Sequence, residues 1–160
     1  MSRKNQAKTR IVEPEAVYNS VTVAKIINAC MLAGKKTSSA KQVYDALEII
    51  KKENPKEDVV TLLEQALDNI KPKVEVRPKR IGGAVYQVPT QVKSNRQYSL
   101  AIRWLVLTAR AKANKQFHTF AGKLADEIKL ALKNEGSAIT KRQDIERMAE
   151  ANKAFAHLRW

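Results

Sequence analysis

Few residues of this sequence have the type and spacing that catalysis or metal binding requires. Cys30 is the single cysteine, so the chain forms neither an internal disulfide nor a paired-cysteine metal or redox site. The two histidines, His118 and His157, have no cysteine near them and form no zinc-binding pattern. His118 also has no serine, cysteine or acid close enough in the sequence to make it a catalyst. We therefore predict no catalytic residue, no metal site and no cofactor.

Two further patterns resemble functional motifs only in part. The segment Gly34–Thr37 ends like a phosphate-binding loop, but Ala29 stands where the first glycine of that loop belongs. Asp126 and Glu127 are neighbouring acids in a predicted helix, and neighbours in a helix do not face each other. The sequence therefore indicates a protein that is not an enzyme and has no small-molecule substrate.

The charge of the chain is its strongest functional signal. Its 160 residues, enough for one domain, include 30 lysines and arginines against 16 acids, a net charge of +14. This excess favours a polyanionic partner, either nucleic acid or an anionic membrane surface. The sequence has no apolar run of about 18 residues that would span a membrane. Its polar N-terminus does not form a secretory signal, so we expect a cytoplasmic protein without a membrane partner.

The two signs of charge occupy different parts of the chain. Eight of the 16 acids lie between Asp45 and Glu75, whereas residues 76–125 contain ten lysines and arginines and no acid. A sequence of average composition would place several acids in a stretch of this length. We predict that the acid-free stretch faces an anion and that the acidic block faces away from it.

Hydrophobic residues recur with helical spacing along most of the chain and predict six helices. The first begins near Val23 and ends at Gly34, which suits a left-handed C-terminal cap. Residues 37–39 have side-chain hydroxyls and are candidate N-caps of the second helix. The third helix begins at Asp58 and ends at Pro72.

The other three helices follow a segment with a different periodicity. The fourth covers about residues 95–113 and is apolar almost all round, which is typical of a central helix. The fifth covers about residues 115–134. Thr140 opens the sixth helix, where Gln143 completes a capping box.

Residues 73–89 have strand periodicity and predict a two-stranded β-hairpin between the third and fourth helices. Gly82 and Gly83 supply the positive φ that a two-residue turn needs, and Pro89 closes the second strand. Because basic residues stand near its tip, we expect the hairpin to project from the helical body towards a partner.

The predicted fold is therefore mainly α, with residues 1–160 in a single domain. It has about six helices and a protruding two-stranded hairpin. Residues 1–18, basic and poor in apolar side chains, predict a flexible arm that orders on its partner. Residues 155–160 are predicted to leave the body as a C-terminal tail.

Three arginines of the fourth helix, Arg96, Arg103 and Arg110, recur every seven residues. Seven residues return a helix to nearly the same side, so the three guanidinium groups align along one edge. Further basic residues stand in the hairpin and in both termini. Such dispersed surfaces suit a folded RNA that meets the protein on several sides, whereas duplex-DNA readers more often concentrate them on one recognition helix.

Three long segments resemble the bacterial and organellar family of small-subunit ribosomal protein seven. They are residues 74–89, VEVRPKRIGGAVYQVP, residues 100–105, LAIRWL, and residues 147–160, RMAEANKAFAHLRW. Gly34-Lys35-Lys36 is also similar to the end of that family's first helix. The resemblance covers almost the whole chain from about residue 20, and it departs from the family at Ala84 and Val85, where small hydroxylated residues are usual.

The resemblance implies a helical body with a protruding β-ribbon in the head of the small ribosomal subunit. It implies binding to the three-prime major domain of the ribosomal RNA, a part in assembling the head, and neighbouring small-subunit proteins as partners. It also implies a position near exit-site transfer RNA and the messenger RNA path. The implied ribosomal RNA contacts are Lys35, Lys36, Arg77, Lys79, Arg80, Arg96, Arg103, Arg110, Lys141 and Arg142.

Charge adds four candidate ribosomal RNA contacts in the basic arm, which are Arg3, Lys4, Lys8 and Arg10. The residues expected to face transfer and messenger RNA form the hairpin tip and its flank, and they are Arg80, Ile81, Gly82, Gly83 and Tyr86. Together these residues predict a structural protein that neutralises phosphates where RNA helices meet.

Other functions remain open at this point. An architectural DNA-binding protein with a basic β-arm is the alternative, although such arms have an apolar wedge at the tip and Ile81 is the only candidate here. Repression of translation through a messenger RNA that mimics the ribosomal site is compatible with the main interpretation. An RNA-modifying enzyme is the least favoured, because no acid, base or cofactor cluster exists.

Overall fold

The structure, a computed structural model, describes residues 11–158 of the chain. The described elements, in chain order, are α1 (Val21–Cys30), α2 (Lys36–Glu53), α3 (Val59–Ile70), β1 (Val74–Ile81), β2 (Ala84–Gln91), α4 (Ser94–Ala111), α5 (Phe120–Leu132), α6 (Ser137–Ala151) and a 3-10 helix (Lys153–Leu158). They confirm the predicted mainly α fold with a hairpin between the third and fourth helices. Over residues 11–158, no helix has both the length and the apolar character needed to cross a membrane.

Helices α4 and α5 form the centre of the helical body. α5 packs against α2, α3 and α4, and α4 also packs against α1 and α6. Along α4, Ala101, Leu105 and Ala109 recur at helical spacing and are fully buried. Leu124 and Ile128 of α5 are buried in the same core. Removal of these apolar side chains from water is the main force that holds the helices together.

The hairpin turn has the conformation that its two glycines predict. β1 and β2 pair antiparallel, and Ile81 lies opposite Ala84 at the tip. Gly82 has a φ of 57° and Gly83 a φ of 91°, the left-handed values that a two-residue turn of this kind needs. A Cβ atom on either glycine would meet no heavy atom within 4 Å. The requirement for glycine is therefore one of backbone conformation and not of space.

The base of the hairpin packs against the C-terminal part of the chain. α6 contacts both strands, and the 3-10 helix contacts β2. The ring of Tyr86 lies 5.4 Å from the ring of Phe155, and Lys79 Nζ donates a hydrogen bond of 3.0 Å to the carbonyl oxygen of Leu158. Residues 155–158 of the predicted tail therefore lie against the hairpin, while Val85 near the tip is exposed.

The segment before α1 is anchored to α2 through Glu15. Its carboxylate accepts hydrogen bonds from the backbone N–H of Val17 at 2.8 Å, from that of Tyr18 at 2.9 Å, and from the Tyr44 hydroxyl. Burial opposes ionisation of Glu15, but these hydrogen bonds outweigh it and lower the pKa of the carboxyl group. The C-terminal end of the predicted arm thus contacts the body, and residues 1–10 lie outside the described part of the chain.

The predicted hydroxyl caps of α2 are wrong. The helix begins at Lys36, before residues 37–39, because Gly34 takes a φ of 74° and turns the chain immediately upstream. The Ser39 hydroxyl is buried and donates a 2.7 Å hydrogen bond to the carbonyl oxygen of Ile27 in α1. A side chain predicted to cap one helix therefore ties two helices together.

Two predicted boundaries in the second half of the chain also differ from the structure. α5 begins at Phe120 and not near residue 115, and the Thr119 hydroxyl caps it. β2 does not end at Pro89 but continues to Gln91. Both strands of a two-stranded sheet are edge strands, and an edge strand tolerates proline where no hydrogen bond to the partner is needed.

α6 does not begin with the predicted capping box, because a residue of another helix caps it. The helix begins at Ser137, after Gly136, and Thr140 donates its hydroxyl to the Gly136 carbonyl at 3.1 Å. The backbone N–H of Ala138 is instead satisfied by the Glu127 carboxylate of α5 at 2.8 Å. The cap of α6 is therefore supplied by another helix and not by its own first turn.

Candidate nucleic-acid interface

The arginines of α4 lie on one side of a continuous helix. Arg96 and Arg110 are 14 residues apart, which corresponds to about 21 Å along the helix axis. Arg96 and Arg103 are exposed and Arg110 is half-buried, whereas the opposite side of α4 enters the core. We call these three residues the arginine row. It runs from the base of the hairpin to the end of α1.

At the hairpin end of the row, Glu75 joins two arginines. Arg77 Nε lies 2.6 Å from Glu75 Oε1, and Arg96 Nε lies 2.7 Å from Glu75 Oε2. The Glu75 side chain is 9% exposed, against 59% for Arg77 and 52% for Arg96. Burial opposes ionisation of Glu75, but the hydrogen bonds and positive charge of the two arginines outweigh it and lower its pKa.

The pairing of Glu75 with Arg77 and Arg96 differs from what the distribution of acids along the sequence predicted. Glu75 belongs to the acidic block that was predicted to face away from the anion, yet it contacts the arginine row. The acids from Asp45 to Asp68 lie on α2, α3 and their connection. The sequence could not distinguish Glu75 from these acids, because its arginine partner Arg96 is 21 residues away.

At its middle, the row borders a groove between α1 and α4. The groove has a volume of about 450 Å³, and its lining combines the basic residues Lys25, Arg103 and Arg110 with the apolar residues Val106 and Leu107. Leu107 is 45% exposed. Lys25 is a basic residue of this surface that the sequence analysis missed. Its signal was its place on the polar side of α1, which by itself does not distinguish it from other surface lysines.

At the far end, the row meets the turn between α1 and α2. Arg110 Nη2 donates a 3.0 Å hydrogen bond to the Cys30 carbonyl oxygen. Arg110 and Lys35 together line a second groove, which is separate from the one between α1 and α4. Lys35 and Lys36 are exposed at the start of α2, which has no side-chain cap. Unpaired backbone N–H groups and the helix dipole favour anions at such a position.

Cys30 itself is a buried core residue, as the apolar pattern of α1 predicts. Burial raises the pKa of its thiol to about 12, and the nearby Arg110 charge only partly offsets that effect. The thiol is therefore protonated at neutral pH, and the structure gives it no nucleophilic role.

The hairpin contains the residues that were predicted to face transfer and messenger RNA. Arg80, Gly82 and Gly83 are exposed at the tip, and Ile81 is half-buried. Tyr86 is half-buried beside Phe155. The tip therefore exposes backbone and one guanidinium group, whereas the aromatic ring is held further down the ribbon.

Two candidates on α6 have different surroundings. Lys141 is exposed. Arg142 is half-buried, hydrogen-bonds the carbonyl oxygen of Asn69 in α3, and lies 3.7 Å from the Glu146 carboxylate. Arg142 thus links α6 to α3 within the body, apart from the arginine row. The arm candidates Arg3, Lys4, Lys8 and Arg10 lie outside the described residues.

Comparison with known proteins identifies the family of this chain. The model of the family described as ribosomal protein S7p/S5e matches residues 2–153. The small ribosomal subunit protein uS7 of Thermotoga neapolitana is 51% identical over 158 residues, 99% of each chain. That of Oleidesulfovibrio alaskensis is 48% identical over 160 residues, 100% of each chain. The chain therefore belongs to the ribosomal protein S7p/S5e family, a family of structural ribosomal proteins and not of enzymes, as the sequence predicted.

Proposed function

We propose that this chain, a structural constituent of the small ribosomal subunit, binds the three-prime major domain of the ribosomal RNA and helps to assemble the subunit head. The single observation that supports this most is the arginine row. It places Arg96, Arg103 and Arg110 on one side of α4 over about 21 Å, with Lys25 and Lys35 beside it.

The mechanism follows from charge held on a rigid element. Each lysine or arginine that meets a phosphate releases condensed counterions, and this release favours binding. α4 is packed on its other side against the core, so the backbone positions of the row are fixed relative to α1 and the hairpin base. Phosphates from different RNA segments that meet along the row are then held at a fixed spacing, which is what assembly of an RNA domain requires.

The hairpin tip is the part that we propose lies near exit-site transfer RNA and the messenger RNA path. Arg80, Gly82 and Gly83 are exposed there, and the small turn permits close approach of an RNA backbone. The rest of the surface is available to neighbouring small-subunit proteins, which we propose as further partners.

A filter-binding titration tests the main proposal. The ligand is the three-prime major domain of small-subunit ribosomal RNA, measured at two salt concentrations with excess transfer RNA or duplex DNA as competitor. We expect saturable binding that survives both competitors and weakens steeply with salt. Equal loss of binding with any polyanion would refute site-specific recognition, and stronger binding to duplex DNA would favour the architectural DNA-binding alternative.

The proposed place of the hairpin tip needs a separate test. Small subunits are reconstituted with the wild-type chain or with an Arg80→Gln variant, and the affinity of transfer RNA for the exit site is measured. We expect weaker exit-site binding with the variant and unchanged incorporation of the chain into the subunit. Unchanged transfer RNA affinity would place the tip away from that site.

A further inference from the structure

Glu75 is the last acid before the acid-free stretch, and it lies in the basic surface. A carboxylate at this position can affect RNA binding in two opposite ways. It can compete with RNA phosphates for Arg77 and Arg96, or it can hold both arginines in the positions that a phosphate needs. The geometry and burial of the three side chains distinguish between these two effects.

The burial of Glu75 favours a positioning role. Its side chain is 9% exposed and lies beneath two arginines that are each more than half exposed. The exposed part of each arginine therefore remains accessible to a phosphate while its carboxylate partner is buried. A buried carboxylate is stable only when hydrogen-bonded cations compensate for its lost hydration, so its two arginines are held firmly.

The hydrogen bonds leave donors of both arginines available. Arg77 uses Nε and Nη2 on Glu75 Oε1, each at 2.6 Å. Arg96 uses Nε, at 2.7 Å from Oε2 and 3.0 Å from Oε1. A guanidinium group has five N–H donors, so each arginine retains N–H groups that Glu75 does not occupy. Both guanidinium groups are therefore held on the same carboxylate while each still has N–H groups for a ligand.

The net charge of the Glu75, Arg77 and Arg96 side chains matches a phosphodiester ligand. Two guanidinium groups and one carboxylate leave a net charge of +1, which matches the single negative charge of a phosphodiester group. Planar guanidinium groups bind phosphate oxygens through pairs of hydrogen bonds. A long side chain that is already ordered also loses less conformational freedom when the ligand binds.

We propose that Glu75 is a positioning residue that holds Arg77 and Arg96 as one binding site for a single phosphodiester group of an RNA backbone. The inference rests on the proposed RNA-binding function. It adds that an acid strengthens the binding of a polyanion at this site, which net charge alone would not predict.

The test compares two variants that change the charge equally. Glu75→Gln and Glu57→Gln each remove one negative charge, and Glu57 is an exposed residue between α2 and α3. Affinity for the three-prime major domain RNA is measured by filter binding, with circular dichroism as the check on folding. We expect Glu75→Gln to bind roughly tenfold more weakly than the wild type, because two arginines lose their order. Glu57→Gln is expected to bind at least as tightly as the wild type.

Two further variants separate positioning from a general structural role. Glu75→Asp keeps the negative charge but shortens the side chain, so it should also weaken RNA binding. It replaces Glu75→Gln in the test if that variant does not fold. In an Arg77→Gln/Arg96→Gln background, Glu75→Gln should cause no further loss of affinity, because Glu75 acts only through these arginines.

The outcomes are distinct. If the wild type shows no specific RNA binding, the proposed function fails. If the wild type binds and Glu75→Gln binds as tightly as Glu57→Gln or more tightly, Glu75 is a competitor and the inference is overturned. An equal loss with and without the two arginines would also overturn it, since Glu75 would then act through the fold as a whole.

Discussion

The wholly buried carboxylate of Glu127 lies 2.8 Å from Lys112 Nζ, and this ion pair joins three helices. Lys112 is the C-cap of α4 and Glu127 belongs to α5. The other oxygen of the same carboxylate accepts the Ala138 N–H of α6 at 2.8 Å. Lys112 also lies 2.6 Å from Asp126. The end of the central helix is thus fixed by charged groups within the helical body.

Replacing Lys112 should strongly destabilise the protein. Lys112→Met would leave the buried Glu127 carboxylate without its cation, which typically costs about 3–5 kcal/mol of unfolding free energy. Urea unfolding followed by circular dichroism measures this loss. Lys115→Met removes the same charge from an exposed position and should change stability by less than about 0.5 kcal/mol. Equal unfolding midpoints for the two variants would show that the pair does not stabilise the fold.

Two glycines with a positive φ should respond differently to alanine. Gly136 has a φ of 94°, and an added Cβ would lie 2.9 Å from Leu130 Cβ and 3.2 Å from Glu127 Oε1. Gly34 has a φ of 74° with no atom within 4 Å of the same position. Gly34→Ala should cost roughly 1–2 kcal/mol from backbone strain alone. Gly136→Ala should cost clearly more, because its φ of 94° and ψ of 169° lie in a region that is essentially restricted to glycine and because the Cβ would contact Leu130. Thermal unfolding gives both values, and equal losses would contradict the proposed steric role of Leu130.

Ionisation of Glu75 should make the free energy of unfolding depend on pH in the acid range. Its folded pKa lies below the ordinary value of 4.5, so its stabilisation is fully present above that value and is lost as the pH falls through the folded pKa. We therefore expect the wild type to be more stable than Glu75→Gln near neutral pH. The difference in unfolding free energy should shrink on acidification below 4.5. A difference that stays constant with pH would show that ionisation of Glu75 has no part in it.

Cys30 should react slowly with thiol reagents in the folded protein. Its thiol is buried and has a pKa of about 12, so almost no thiolate exists at pH 8. The rate of reaction with an aromatic disulfide reagent, followed by absorbance, should rise by orders of magnitude in concentrated guanidinium chloride. Because Cys30 is the single cysteine, no other thiol contributes to the signal. A fast reaction in buffer alone would mean that α1 opens readily.

The basic residues of the hairpin should contribute to RNA affinity more than to folding. Combined replacement of Arg77, Lys79 and Arg80 by glutamine should weaken RNA binding and reduce the slope of log affinity against log salt by about 2–3. Helical content should be unchanged, because α1–α6 and their core remain. Binding at several salt concentrations and circular dichroism measure the two effects.

A matched variant controls for the loss of charge. Replacing Lys51, Lys52 and Lys56 by glutamine removes the same charge from exposed positions at the end of α2 and just beyond it. This control should reduce the salt slope less than the hairpin variant does. Arg77→Gln alone measures the stability lost with the Arg77–Glu75 pair. A fall of the melting temperature in the triple variant far beyond that of Arg77→Gln would show that the ribbon is part of the core.

The sequence by itself determined the number and order of the six α-helices, the hairpin between the third and fourth of them, and the arginine row. The spacing of apolar residues is a local property, and it predicted six helices because each helix must bury one side. The two glycines of the turn predicted the hairpin, since only glycine adopts both positive φ angles without strain. The seven-residue spacing of Arg96, Arg103 and Arg110 predicted their alignment through helix geometry alone.

The tertiary structure alone decided what each polar side chain binds. Glu127 caps a different helix, Ser39 bonds α1, and Glu75 joins two arginines, none of which follows from neighbouring residues. Arg142 shows the same limit, because Asn69 is 73 residues away in the chain. A buried polar group must find a partner wherever packing supplies one. That partner is set by the arrangement of the helices, which local periodicity does not specify.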